Sequence, residues 1–284
     1  MDFSLFRPIQ RTSIDRSASK GVMLRTVAWI GLALCVSTAA VADDINEARL
    51  RMSQGLEGIR TTNAFTLDVT GEEIVGETSI PIRIVTVFRN TTVNGIQTGL
   101  LEQMSFRNNV MTHRIAADGT RIWAYDLAKK EYMSVAYQVD RGPASEIWLR
   151  QMILTLAKWS PREASFNARL MQDIFLTANI STAWNPWTGP GTVTLSDEDG
   201  YSKVVCTPGN HGLTNLSYLL TSTDEGYQLE GGKFWREEKM NSGTKTTEWD
   251  LKVYYDSIPA DTDFTFTPPA DAKARSVSLP QVGG

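Results

Sequence analysis

Between residues 44 and 59 the apolar positions Ile45, Ala48, Met52, Leu56 and Ile59 recur at intervals of three and four, which predicts an amphipathic helix. Past the Thr61-Thr62-Asn63 cluster the period falls to two. Phe65, Leu67 and Val69 alternate with Thr66, Asp68 and Thr70; Ile80, Ile82 and Ile84 share one face of the next run; Leu100, Met104 and Phe106 share a face of the one after. Gly71, Gly76, Asn94-Gly95, Asn108-Asn109 and Asp118-Gly119 punctuate these runs as turns, at spacings too short for crossover helices. An antiparallel meander follows from that spacing.

The alternation stops near Val139. Pro143 to Trp159 reads as a helix through Ile147, Leu149, Ile153 and Leu156, and a second helix opened by Pro161 runs to about Ala178. After the Trp184–Gly191 loop, strands are expected at Thr192–Leu195, Tyr201–Cys206, Leu213–Thr221, Tyr227–Glu230, Lys233–Met240, Thr246–Tyr255 and Phe264–Phe266. Helix, strands, helix pair, strands is the order of one α+β domain with a single sheet drawn from both halves. In the longest late strand Trp249, Leu251, Val253 and Tyr255 share a face opposite Asp250 and Lys252, so one face of the sheet should be apolar and the other wet. About a dozen strands with so few helices to cover them predict a curved sheet able to enclose an apolar hollow.

The first 42 residues read differently. Arg25, the apolar run Val27–Val36 and the small-residue sequence Ala40-Val41-Ala42 have the form of a secretory signal over 23–42, cut so that the mature chain begins at Asp43. Residues 1–22 are polar and read as an extension outside the native start; 43–275 is the expected domain and 276–284 a frayed tail. Leu34 before Cys35 is too large for a lipobox. Removing residues 1–42 takes away five basic side chains (Arg7, Arg11, Arg16, Lys20, Arg25) and two acidic ones (Asp2, Asp15), moving the formal net charge from −4 to −7. That balance argues against nucleic acid as a partner. Cys206 is then the one remaining cysteine, so no internal disulfide is available and the core must hold the fold.

Candidate chemistry is sparse. The chain has two histidines, His113 in a strand and His211 in a turn. No Gly-x-Ser-x-Gly elbow, His-Glu-x-x-His helix or phosphate-cradling glycine loop is present. Cys206 and His211 are too few ligands for a metal, and pairs such as Glu72-Glu73 and Glu237-Glu238 sit beside turns where solvated faces are usual. The expectation is a protein that is not an enzyme and needs no cofactor or metal.

Two segments stand out: Asp118-Gly119-Thr120-Arg121-Ile122-Trp123-Ala124-Tyr125-Asp126, and Phe264-Thr265-Phe266-Thr267-Pro268-Pro269. With the N-terminal helix and the strand bearing Phe65, they resemble the matching segments of LolA-like periplasmic carriers of outer-membrane lipoproteins, a fold shared with LolB and RseB-type proteins. The resemblance implies a strongly curved antiparallel sheet, an unclosed half-barrel, with helices covering its concave face. It implies a periplasmic monomer that carries a lipid or acylated lipoprotein from an inner-membrane donor to an outer-membrane receptor. Strand parity then selects Met104, Phe106, Trp123, Tyr125, Met133, Trp249, Leu251 and Val253 as lining residues, and position relative to the Asp-Gly turn makes Arg107 the expected latch of the helical lid. Asn108 stands where the family usually has a proline after that arginine. Trp184 and Trp187 are expected either to flap over the hollow or to anchor their loop. A second reading is a periplasmic sensor or protein-interaction module on the same scaffold.

Overall fold

The computed structural model describes residues 45–93, 96–136, 152–156, 158–159, 161, 165–175, 192–207, 214–240 and 243–275. Helix α1 (45–61) follows the predicted period, burying Ala48, Met52, Leu56 and Ile59 completely. Six strands then run in sequence: β1 (Ala64–Val75), β2 (Thr78–Val93), β3 (Ile96–Arg107), β4 (Val110–Ala117), β5 (Arg121–Asp126) and β6 (Glu131–Ala136). Helical residues 152–156 and 158–159 (α2) and helix α3 (Ser165–Phe175) precede the second set. That set comprises β7 (Thr192–Glu198), β8 (Tyr201–Thr207), β9 (Thr214–Thr223), β10 (Gly226–Met240), β11 (Gly243–Tyr255) and β12 (Lys273–Ala274).

All twelve strands form one sheet in the order β12-β6-β5-β4-β3-β2-β1-β11-β10-β9-β8-β7. The two halves of the chain join where β1 pairs with β11, Phe65 opposite Tyr255 through Val75 opposite Lys245. Because β7 and β12 lie at opposite ends, the curved sheet is unclosed. Every neighbouring pair is antiparallel except β12 with β6. The runs at Tyr227–Glu230 and Lys233–Met240 form one strand, β10, with a bulge between Leu229 and Gly231; the glycines there interrupt the period without ending the pairing.

Cross-strand register fixes which side chains share a face. Phe65, Leu67 and Val69 on β1 stand beside Phe88, Thr86 and Ile84 on β2, then Leu101, Gln103 and Ser105 on β3. These join α1, α2 and α3 residues in one hydrophobic core. Phe175 of α3 meets Phe88 in a tilted contact at 4.7 Å and stacks on Phe65 at 6.1 Å between ring centroids, tying the helix to the middle of the sheet. Beside those rings is a buried polar seam: Asn167 Nδ2 donates to Thr86 Oγ1 at 3.0 Å, and Thr86 Oγ1 to Gln103 Oε1 at 3.2 Å. Helix α1 packs closely on the sheet at Gly55, where an added Cβ would lie 2.6 Å from Leu220 and 3.3 Å from Leu229.

The other face corrects the expectation of a wet surface. Thr66, Val85, Val87, Glu102 and Ala116, all in the opposite phase, are buried as well. The chain after β11 is the reason. Phe264–Phe266 is not a strand but part of an extended strap over that face, which starts where Thr66 Oγ1 donates to the Ser257 carbonyl at 2.7 Å. Asp263 N donates to Glu102 Oε2 at 3.0 Å, and Arg114 donates to the carbonyls of Asp263 and Thr265. Beyond Pro268-Pro269 the strap reaches the edge of the sheet, where Lys273 and Ala274 pair with Glu131 and Tyr132 as β12. Proline cannot donate to a ladder, which keeps this stretch a strap rather than an extra strand.

Candidate functional site

The end of the β3–β4 hairpin shapes the site. Asn108 and Asn109 both adopt positive φ (52° and 60°), the geometry of a tight two-residue turn that asparagine tolerates better than most side chains. Just before it the register slips between Ser105 and Phe106, leaving Thr112 as the extra residue on β4. Ser105 faces His113 across the pair, while Phe106 moves opposite Met111. Next to this irregularity lies a cavity of about 370 Å³, within the roughly 300–1,000 Å³ usual for small-ligand sites.

Its wall is divided by chemistry. Ile82, Ile84 and Phe106 supply the apolar part, and Pro161 borders it from between α2 and α3. Ile82 and Ile84 also belong to the hydrophobic core, so the apolar wall is continuous with the interior. Ser105, Thr112 and His113 line the polar part; Thr112 Oγ1 donates to the Ser105 carbonyl at 3.1 Å and lies 3.1 Å from His113 Nδ1.

Charge collects at one side, where β1 and β3 end and β11 begins. Glu73, only 4% exposed, accepts from Arg107 Nη2 at 2.5 Å and pairs through its other oxygen with Lys245. Burial alone would raise the Glu73 carboxyl, but the bonds from Arg107 and Lys245 outweigh it and hold the group below its ordinary range. His113 Nε2 lies 3.7 Å from Asp126 Oδ2. For Asp126 burial again pushes upward, and Lys129, bonded through its side chain and its backbone N–H, overcomes it with help from His113. Such a wall can bind and orient an amphiphile. Among the described residues no group of three or more His, Cys, Asp or Glu side chains could hold a metal ion. Cys206 is buried in the core, its thiol pushed up to about 12 by burial, which makes it a poor nucleophile.

The predicted lining residues separate into groups. Met133, Trp249, Leu251 and Val253 are buried on the helix-bearing face, inside the core. Arg107, whose guanidinium pairs with Glu73, borders the cavity, and so does Phe106, although its register opposite Arg83 puts it in the phase of Met104 rather than of Ser105. Met104, Trp123 and Tyr125 are on the opposite face, a correction to the parity assigned from sequence: Trp123 pairs with Ala116 and Ser134, and Tyr125 with Arg114 and Tyr132. The physical reason is that Ile115, Ala117, Ile122 and Ala124 already fill the core side of β4 and β5, while the strap offers the other face an aromatic partner, Phe266 lying 5.4 Å from the Tyr125 ring. Thr112, Ser105, Glu73 and Lys245 were missed. Nothing in period or spacing marks them, because the bulge and the β1–β11 junction that gather them are long-range features. His211, the Trp184–Trp187 loop, the signal segment and the tail 276–284 lie outside the described residues.

No protein-family model matches the chain, and no curated protein matches it. Among solved structures it is similar to a DUF1329 family protein from Desulfovibrio piger ATCC 29098, at 9% identity and a TM-score of 0.32 over 77% of this chain and 96% of that one. It is similar to LprF from Mycobacterium bovis at 10% identity and a TM-score of 0.34, covering 78% and 98%. A protein described as an outer membrane lipoprotein-sorting domain, from Vibrio parahaemolyticus, aligns at 12% identity and a TM-score of 0.34 over 77% and 97%. At these scores the likeness assigns neither family nor ligand.

Proposed function

We propose that the chain is a non-catalytic carrier, exported to the periplasm with its mature N-terminus at Asp43, that holds the acyl part of a lipid or acylated lipoprotein. The observation that carries this reading is the cavity on the helix-bearing face, whose Ile82–Ile84 wall runs without a break into the core. That face is the concave side of the sheet, and α1, α2 and α3 cover it. Each acyl CH₂ entering this space contributes about 0.8 kcal/mol from burial.

Loading widens the space by moving the helical cover, with Arg107 as the latch at its edge. The polar seam supports a separable contact. Asn167 Oδ1 is buried without a partner, so lifting α3 returns that carbonyl oxygen to water and offsets part of the apolar area exposed. An inner-membrane donor would load the carrier and an outer-membrane receptor would empty it, the protein acting as a monomer without nucleic acid. Native mass spectrometry with lipid extraction, on protein purified from the periplasm, tests this reading. Co-purifying acyl species are expected; a protein that emerges empty and takes up no added lipid would refute it.

A further inference from the structure

We propose that Ser105 reads the acyl carbonyl of the ligand: its hydroxyl donates to the C=O of an ester- or amide-linked chain and so fixes how deep that chain enters. This rests on the carrier reading above. Ser105 lines the cavity yet is only 2% exposed, and its hydroxyl oxygen has no hydrogen-bond partner among the described residues. A buried hydroxyl left unpaired is costly, so a ligand that brings an acceptor to it gains over one that does not. The neighbouring hydroxyl cannot take this role. Thr112 has one proton to give and commits it, at 3.1 Å, to the Ser105 backbone carbonyl beside the bulge.

Register places the Ser105 hydroxyl where the wall changes from polar to apolar. On the inward face Ser105 stands opposite Ile84, Ile84 opposite Val69, and Val69 opposite Leu251, a row of three core side chains that ends in one hydroxyl. The charged side chains Glu73, Arg107 and Lys245 stand nearer the strand ends, Arg107 two residues along β3 and about 7 Å away. The next row inward holds Gln103 and Thr86, which bond each other at 3.2 Å. A carbonyl at the height of Ser105 accepts its proton while the chain follows Ile84 toward the core and the head stays at the strand ends. An ether or a plain hydrocarbon fits the same space but leaves the hydroxyl to water or unpaired.

The test is calorimetric titration of purified protein, stripped of lipid, with two pairs of amphiphiles matched in chain length and differing at the carbonyl. They are 1-dodecanoylglycerol against 1-O-dodecylglycerol for the ester, and N-dodecanoylethanolamine against 2-(dodecyloxy)ethanol for the amide. The carbonyl member should bind about threefold or more tightly than its ether, as one neutral hydrogen bond implies. Ser105→Ala, which removes a costly orphan and should keep the thermal midpoint, should bring the carbonyl member down to its ether and leave the ether nearly unchanged. A preference in either pair that Ser105→Ala erases supports the assignment and names the linkage. Equal affinities within both pairs, read on the wild type alone, overturn it and leave the carrier reading standing; so does a preference that survives in Ser105→Ala, since another donor then holds the carbonyl. If none of the four amphiphiles binds, the carrier reading falls with it.

Discussion

Tyr125 and Phe266 meet face to ring on the outer side of the sheet, their centroids 5.4 Å apart, with the Arg114 guanidinium 5.7 Å from the Phe266 ring. The two segments most distinctive in the sequence are therefore halves of one contact. One supplies a strand face and the other the strap laid over it. Beneath them Glu102, 2% exposed, receives Asp263 N and Arg114, so the outer face holds its own buried polar anchor.

Phe266→Ala should consequently loosen the strap without opening the core of the sheet. The lost packing, at the lower end of large-to-small substitutions because the site is near the surface, is worth about 2–3 kcal/mol. Denaturant midpoints measure the loss, and limited proteolysis should show cleavage in residues 257–272 first. Unchanged proteolysis would mean that the Arg114 and Glu102 bonds hold the strap alone.

That contact also shows what the sequence could and could not disclose. Period alone places α1, most of the strands and the inward faces of β1 and β11, because Phe65, Leu67, Val69, Leu251 and Val253 alternate cleanly and all join the core. In β5 the same rule points the wrong way. Ile122 and Ala124 are smaller than Trp123 and Tyr125, and nothing local reveals that a strap from far along the chain brings Phe266 onto Tyr125. The cavity was legible in one apolar residue, Phe106, and in Arg107. Its polar half depends on a register slip and on β11 arriving beside β1, neither of which leaves a local trace.

Glu73 gives the protein an acid-side weakness. Its carboxyl is held below the ordinary value of about 4.5 in the folded state, so its contribution is fully present above that value and is lost as pH falls through the folded value. Wild-type unfolding free energy should decline below about pH 4.5, and Glu73→Gln should reduce that decline while lowering stability at pH 7. Urea titrations at pH 7 and pH 3.5 compare the two. An identical acid loss in both proteins would place the acid sensitivity elsewhere.

Gly55 sets how closely α1 can seat on β9 and β10. Gly55→Leu gains up to about 1 kcal/mol in helix propensity, but its side chain must displace Leu220 and Leu229. Overpacking should win by about 1–3 kcal/mol, read as a lower urea midpoint. A more stable variant would mean that α1 can ride higher on the sheet than its packing indicates.

The most direct test of the carrier reading compares two glutamate substitutions on opposite faces. Thr112→Glu puts a charge at the cavity wall, and Trp123→Glu puts one on the strap side, each at a partly exposed position. Native mass spectrometry of both, purified in parallel with the wild type and checked for folding by circular dichroism, reads the acyl-bound fraction. It should fall sharply for Thr112→Glu and stay at the wild-type level for Trp123→Glu. Loss in Trp123→Glu with retention in Thr112→Glu would put the ligand on the outer face and contradict the account.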